Sequence, residues 1–420
     1  MKVFKKEKNK KNNKLFNINV KAKLEKIIIK NKNKFNMKEI LVIMIITFSF
    51  GLIIGGVVMY GKSGFSRNAS TALNEFTRTY NDILNNYYKE VDEDELLESG
   101  LAGMIKYLGD PYAAYMTEEE SEEFNETIEG EYCGIGAEIV YTMTDGITKI
   151  GTVFENSPAE KAGLKEGDIL KTVNGESIEE MTTKEIADIV KGKRGTKVTI
   201  KVLRNDQEIN FTIKRDTVDI PSVESKIYEE NDKKIGYIML DVFANNTDEQ
   251  FENNLKKLEE DGINSLIIDL RGNTGGYLTS VTNIISLFTE KGSNIYQLKT
   301  KEEIEVIKDK TKEYRSYPIT VLVNGGSASA SEVLAAALKE NYGATIMGTK
   351  TFGKGKVQKS YSLSNGSIVK YTYQEWLTPN GNSIDGAGVL PDIEIQYEYE
   401  ENVEIDNQLK AAINEISQKQ

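Results

Sequence analysis

The spacing of apolar positions changes repeatedly along this chain, and each change marks a different kind of element. From Ile40 to Tyr60 no residue is charged, a run of 21 residues. At about 1.5 Å per residue such a helix crosses a hydrocarbon core of about 30 Å, so a transmembrane anchor is predicted at residues 39–60. From Ser70 to Glu123 the apolar positions fall three or four apart, as in Leu73, Phe76, Tyr80, Ile83 and Leu84, which predicts a helical segment over about 67–125, broken by a turn at Gly109-Asp110-Pro111. From Ile128 to Arg215 the period drops to two, as in Lys197-Val198-Thr199-Ile200-Lys201-Val202 and again from Ile209 to Ile213. One helix, Thr183 to Lys191 closed by Gly192, interrupts these strands, and the combination suggests a small, partly open β-barrel over 126–216.

From Ile235 onward strands alternate with helices, the pattern of an α/β domain, assigned to 217–400. Ile235 to Leu240 reads as a strand, Phe251 to Glu260 as a helix, and Ser265 to Leu270 and Ile319 to Val323 as buried strands. The last two run into glycine-bearing loops, Arg271-Gly272-Asn273 and Asn324-Gly325-Gly326, and then into helices. Such turns expose backbone N–H groups at helix starts, where anions and oxyanions are well received. Glu229 to Lys233 and Thr300 to Thr311 read as polar surface loops. The tail, 401–420, is again helical, with Ile405, Leu409, Ala412 and Ile413 on one side for docking or self-association. The whole is a multidomain α+β chain.

Charge settles the orientation of the anchor. Residues 1–38 carry fourteen lysines against Glu7 and Glu25, a balance of +12 that leaves −24 for the remainder. A basic arm alone suggests nucleic acid, but one placed directly before an apolar span obeys the positive-inside rule. The expectation is a cytoplasmic tail at 1–38, a single uncleaved membrane helix and an extracytoplasmic remainder, with no nucleic-acid partner. A cleaved signal peptide is the competing reading, but its apolar region is about 7–15 residues and ends at small residues, whereas this run ends in Tyr60-Gly61-Lys62-Ser63. Gly51, Gly55 and Gly56 form only a weak helix-pairing pattern.

Composition restricts the chemistry. There is no histidine, which excludes every Ser-His-Asp and Cys-His arrangement. The single cysteine, Cys133, precludes an intrachain disulfide and reads as a small buried apolar residue. The segment Asn324-Gly325-Gly326-Ser327-Ala328-Ser329-Ala330-Ser331-Glu332 offers three serines among small residues that let a substrate approach. Ser329-x-x-Glu332 is also a capping box for a helix from Ala330 to Lys339, which needs no catalysis. Without histidine, acid–base chemistry falls to Lys, Asp, Glu or Tyr, and the usual base for a protease serine is then a lysine with a depressed pKa. Gly348-Thr349-Lys350-Thr351-Phe352-Gly353-Lys354-Gly355-Lys356-Val357-Gln358 supplies three, and spacing does not choose among them.

Resemblance does choose. Ser157-Pro158-Ala159-Glu160-Lys161-Ala162-Gly163-Leu164-Lys165-Glu166-Gly167-Asp168-Ile169-Leu170 followed by Val173-Asn174-Gly175 closely resembles a PDZ signature. It implies that Gly134-Ile135-Gly136 is the loop whose N–H groups bind a peptide's C-terminal carboxylate. Ala137 stands where a large apolar residue is common. Residues 234–395 resemble the ClpP/crotonase-like core of the carboxyl-terminal processing peptidases, serine peptidase family S41, through Gly-Ser-Ala-Ser-Ala-Ser-Glu and Phe-Gly-Lys-Gly-x-x-Gln. The resemblance implies Ser329 as nucleophile, Lys354 as base, Gln358 holding the lysine, and an oxyanion hole from the N–H groups of Gly275 and Ala330 in Arg271-Gly272-Asn273-Thr274-Gly275-Gly276. Thr274 replaces a frequent proline, and Gly272 a commonly polar residue. Thr378-Pro379-Asn380-Gly381 and Gly388-Val389-Leu390-Pro391-Asp392 match the family's C-terminal signature.

The expected activity is therefore endoproteolysis of proteins or peptides with free C-termini by a Ser/Lys dyad, without metal or cofactor. Self-association into a homodimer through the terminal helices is left open. A non-catalytic scaffold that binds C-termini is the alternative, and a lysine-activated amidase acting on cell-wall peptides a more distant one.

Overall fold

The computed structural model describes residues 67–420 apart from Asp145, Glu313, Asn402, Glu404 and Gln420. The tail and anchor expected at 1–38 and 39–60 lie outside the described residues, and among these no helix is long and apolar enough to cross a membrane. The chain parts into two compact units, Met1–Leu96 and Leu97–Gln420.

In the first unit the described residues begin with α1, Arg67–Asn86, and reach the start of α2, Glu93–Tyr107. The apolar stripe of α1 is real but open, with Leu73, Phe76 and Ile83 all exposed. Tyr80 donates its hydroxyl to the Glu93 carbonyl at 3.0 Å and ties the two helices together.

The second unit continues with β1, Ala114–Met116, and α3, Glu118–Glu129, whose Thr117 and Glu120 form a complete capping box. The segment read as helical on both sides of the Gly109-Asp110-Pro111 turn thus contains a short strand. Its reason is distant in sequence, since β1 completes the edge of a sheet made by residues 368–370. The PDZ unit follows as β2 (Glu131–Gly134), β3 (Ala137–Thr142), β4 (Ile147–Val153), α4 (Pro158–Ala162), β5 (Ile169–Val173), β6 (Glu176–Ser177), α5 (Thr183–Val190), β7 (Lys197–Arg204) and β8 (Gln207–Lys214). An antiparallel sheet in the order β3-β4-β5-β7-β8, with β6 on β5, wraps a core of Ile150, Leu170, Ile186, Val198, Ile200 and Val202. β9, Asp216–Asp219, returns to pair with β2, so the PDZ unit enters and leaves through one ribbon. Cys133 lies on that ribbon and is half-buried, not buried as its residue type suggested, because a two-stranded ribbon covers few of its side chains.

The remaining elements are β10 (Val223–Glu230), β11 (Lys233–Leu240), α6 (Thr247–Glu260), β12 (Ser265–Asp269), α7 (Leu278–Ser286), β13 (Asn294–Lys299), β14 (Ile304–Lys308), β15 (Ile319–Val323), α8 (Ala330–Ala337), β16 (Thr345–Gly348), β17 (Lys356–Ser362), β18 (Ile368–Leu377), β19 (Ile393–Glu394) and α9 (Asn407–Ser417). A six-stranded sheet runs β10-β11-β12-β15-β16-β19, parallel from β11 onward. Its central strands are buried on both faces, as their continuous apolar runs require. Leu266 and Ile268 face the core formed with α6, α7 and α8, while Ile267 faces Leu409, Ala412, Ile413 and Ile416 of α9. The apolar side of α9 is therefore occupied within its own chain, which favours docking over self-association for that helix.

Two segments read as surface loops are ordered pairings. Glu229 to Lys233 closes the β10–β11 hairpin through Asn231 and Asp232, both at positive φ. Thr300 to Thr311 contains β14, an edge strand on β13 whose exposed, charged sequence hid it. The second sheet, antiparallel, is β1-β18-β13-β14 with β17 also on β18.

Candidate active site

The loop after β15 builds the first half of the site. Ser327 is fully buried and donates its hydroxyl to the Leu270 carbonyl at 2.8 Å. Ser331 is equally buried and donates to the Asn273 carbonyl at 2.8 Å. Ser329 between them is half-buried and lines an open cleft of about 520 Å³. Its backbone, φ 55° and ψ −114°, lies where side chains other than glycine are strained by about 1–3 kcal/mol. The strain turns the chain sharply from strand to helix and puts Ser329 at the start of α8, where the helix field favours developing negative charge.

The loop between β16 and β17 builds the second half, and it separates the three lysines. Lys350 is exposed. Lys356 is paired with Asp385 at 2.9 Å, and that hydrogen bond holds its pKa above the ordinary lysine value. Lys354 is half-buried in the same cleft as Ser329 and carries no ion pair among the described residues. Burial, followed by repulsion from Lys370, pushes its pKa down, against a smaller opposing pull from Glu332 and Asp110. A depressed lysine pKa is what a general base requires. The Lys354 amine lies 5.0 Å from the ring centroid of Tyr112, and no hydrogen bond joins it to Ser329 or Gln358 in this structure. The Gln358 amide instead donates to the Lys356 carbonyl at 3.1 Å and toward the Thr372 hydroxyl at 3.4 Å.

The glycines of the lysine loop are explained by close backbone approach. A Cβ on Gly355 would stand 2.8 Å from Asp385 Cβ, and one on Gly353, at φ +91°, 3.1 Å from the backbone of Gly386 and Gly388. The segment leading to the C-terminal signature presses on the loop here. Thr351 and Val389 exchange hydrogen bonds at 3.2 and 2.7 Å, and Asp392 accepts from the Ile346 N–H at 2.9 Å.

Glu332 joins the two halves. Its side chain is fully buried, and its carboxylate accepts from the Ser329 N–H at 2.8 Å, the Thr351 hydroxyl at 2.6 Å, the Gly353 N–H at 2.7 Å and the Lys354 N–H at 2.9 Å. From sequence it is a helix-capping residue only. Three of its four partners lie 19–22 residues downstream, out of reach of any local pattern.

Gly275 packs directly on the serine, for a Cβ there would stand 2.8 Å from Ser329 Cβ and 3.0 Å from Ala330 N. Gly275 and the first residue of α8, Ala330, thus lie side by side at Ser329. The Gly275 N–H, however, donates to Asn273 Oδ1 at 2.8 Å, so the expected pair of oxyanion donors is not free in this structure. Asn273 is itself fully buried and donates to the Leu240 carbonyl at 2.8 Å. Arg271 does not face the serine. It pairs with Asp269 at 2.6 Å and Asp406 at 3.0 Å and ties the loop to the start of α9.

A separate groove of about 340 Å³ lies between β3 and α5, lined by Tyr132, Ala137, Ile139, Lys184, Val190 and Lys191 among others; Gly134, Ile135 and Gly136 adjoin it in sequence and do not line it. Ile135 is in the PDZ core and accepts from the Ala159 N–H at 2.7 Å. Gly136, at φ +78°, admits no side chain, since its Cβ would meet Ser157 Cβ at 2.3 Å. The Tyr132 ring crosses Gly134, and its phenol lies near enough to the Gly136 and Ala137 backbone for those amides to favour its ionised form. Burial raises the Tyr132 pKa, with those two amides opposing.

Comparison with known proteins agrees with this layout. Residues 234–395 match the profile of peptidase family S41, 149–204 that of a PDZ domain, and 58–120 that of the N-terminal domain of the activating protease CtpB. A "Probable CtpA-like serine protease" of Staphylococcus epidermidis is 37% identical over 359 residues, covering 85% of this chain and 72% of the relative. A protein of the same name from Staphylococcus aureus is 38% identical over 336 residues, 79% of this chain and 66% of the relative. The solved structure of the photosystem II D1 C-terminal processing protease is 27% identical, with a TM-score of 0.44, covering 75% of this chain and 85% of that one. The chain belongs to peptidase family S41, the C-terminal processing serine peptidases, and combines that catalytic core with a PDZ domain.

Proposed function

We propose that this protein is a membrane-anchored endopeptidase that cleaves extracytoplasmic proteins near or from their C-termini, using Ser329 as nucleophile and Lys354 as general base. The observation that carries the dyad is the sorting of hydroxyls and amines. Of the serines, Ser327 and Ser331 are buried and committed to carbonyls while Ser329 lines the cleft. Of the loop lysines, Lys354 alone joins it in that cleft without an ion pair.

In the reaction, neutral Lys354 swings from the Tyr112 ring to Ser329 Oγ and takes its proton as Oγ attacks the scissile carbonyl. The carbonyl electrons move onto oxygen, which is received by the Ala330 N–H and by the Gly275 N–H once that amide exchanges Asn273 Oδ1 for the oxyanion. Collapse expels the amine, which takes the proton back from Lys354 and leaves Ser329 acylated. Water, deprotonated by the same lysine, then releases the acid and restores the serine. Gln358 lies in the same cleft and would hold the lysine as it swings.

The PDZ groove would hold the substrate's C-terminal carboxylate on the amides of the Gly134-Ile135-Gly136 loop, displacing the Tyr132 phenol. The uncharged run Ile40 to Tyr60 behind a lysine-rich tail supports the anchor and its orientation. The open apolar stripe of α1 supports homodimerisation through the N-terminal helix. The test of function uses the full-length protein in detergent with an unfolded protein as substrate. Cleavage should be lost in Ser329→Ala and in Lys354→Ala with thermal unfolding retained, and undiminished cleavage by either variant rejects the dyad.

A further inference from the structure

The cleft contains a third lysine that the mechanism above leaves unused. Lys370, in the middle of β18, lines it together with Ser329, Lys354 and Lys356. Lys356 already has Asp385 for a partner. Lys370 is half-buried, and its amine lies 5.0 Å from the ring centroid of Phe124, with no carboxylate in ion-pair range among the described residues. The cleft that it shares offers aromatic and aliphatic surface from Phe124, Ile128, Tyr277, Leu278, Val357 and Trp376 beside polar side chains, and no aspartate or glutamate.

An ammonium in such a setting is poorly compensated. Burial lowers its pKa and no acidic neighbour offsets the loss, while its charge repels that of Lys354. A cation in the same cleft as the reacting serine, held over an aromatic ring, complements an anion that arrives with the substrate. Peptides bring one kind of anion. It is a carboxylate, from an aspartate or glutamate side chain or from the chain end.

We propose that Lys370 is a substrate-binding residue that seats a carboxylate of the bound peptide next to the scissile bond. The inference rests on the proteolytic reading of this cleft and adds a substrate preference to it. Two peptide pairs separate the sources of the carboxylate. In the first, aspartate is exchanged for asparagine within three residues of the cut in a long peptide whose end is remote. In the second, the cut lies two residues from the C-terminus, which is either free acid or amide.

With full-length enzyme, each variant at the plateau of its own pH profile, the wild type should favour the carboxylate member of at least one pair by about tenfold in kcat/KM, a reasonable effect for a partly buried ion pair. The ratio should fall about tenfold in Lys370→Met, persist in Lys370→Arg and fall further in Lys370→Glu. A response confined to the first pair assigns the seat to side chains, and one confined to the second assigns it to the chain end. A general loss of activity cancels in each ratio, and a carboxylate captured by the PDZ groove adds the same factor in every variant, so it cancels when the wild-type ratio is divided by the Lys370→Met ratio. No discrimination by the wild type in either pair, or ratios left unchanged by Lys370→Met, overturns the proposal. Failure of the underlying reading is seen separately, as cleavage that survives Ser329→Ala.

Discussion

Replacing Glu332 by glutamine keeps the shape of the side chain and removes its charge, and its consequences can be worked from the contacts. The carboxylate accepts four hydrogen bonds, two at each oxygen. An amide has one acceptor oxygen, so its NH2 must face one of the two pairs. The less costly orientation places the NH2 toward Thr351, whose hydroxyl can reverse and accept, leaving the Gly353 N–H without an acceptor. A buried donor stranded in this way costs about 1–3 kcal/mol, and the bonds that remain lose their charge assistance, so the total is about 2–5 kcal/mol. Against a typical domain stability of about 5–15 kcal/mol this is a large fraction.

The protein's single tryptophan reports on the event directly, because Trp376 Nε1 donates to the Lys354 carbonyl at 2.9 Å. Urea unfolding followed by Trp376 emission should show a lowered midpoint in Glu332→Gln, with a spectral change in the folded baseline as the lysine loop loosens. The charge has a second effect. Glu332 pulls the Lys354 pKa upward, so its removal moves the acid limb of the kcat/KM profile to lower pH even as kcat falls. An unchanged midpoint together with an unmoved acid limb would refute the role given to Glu332.

Further outcomes follow from the same contacts. Since burial and Lys370 disfavour the Lys354 ammonium, kcat/KM should rise with pH through a midpoint below the ordinary lysine value of 10.5, and Lys370→Met should move that midpoint up by removing the repulsion. A midpoint at or above the ordinary value contradicts the assignment. The linked stability has the matching sign, because the unfolded chain binds the proton more tightly, so stability gains as pH climbs from the depressed folded pKa toward 10.5. At the PDZ loop, Tyr132→Phe removes the hydroxyl that competes for the Gly136 and Ala137 amides, and should tighten binding of a free C-terminal peptide several-fold by calorimetry. Weaker or unaltered binding would show that the hydroxyl does not guard the loop.

Much of the layout was legible because it rests on local pattern. The buried strands Ser265–Asp269 and Ile319–Val323 are continuous apolar runs, and the helix after Ser329 follows from small residues and an acid at the right spacing. What stayed hidden depends on partners far along the chain. Three serines are equivalent in sequence, and they part company only where Ser327 meets the Leu270 carbonyl and Ser331 the Asn273 carbonyl, 57 and 58 residues away. Glu332 looked like a cap for the same reason. β1 was lost inside a helical pattern because only its pairing with β18 makes it a strand, and β14 because an exposed edge strand carries no apolar alternation. Gly275 and Ala330 lie next to Ser329, yet no sequence feature announces that Asn273 Oδ1 holds the Gly275 N–H.

The central claim, that Lys354 activates Ser329, is tested most directly by trapping the nucleophile. Full-length protein incubated with a fluorophosphonate and digested for mass spectrometry should carry the adduct on Ser329, with labelling slowed by about a hundredfold or more in Lys354→Ala, as loss of a general base requires. An adduct on Ser327 or Ser331, or labelling of Ser329 at an undiminished rate without Lys354, would contradict it.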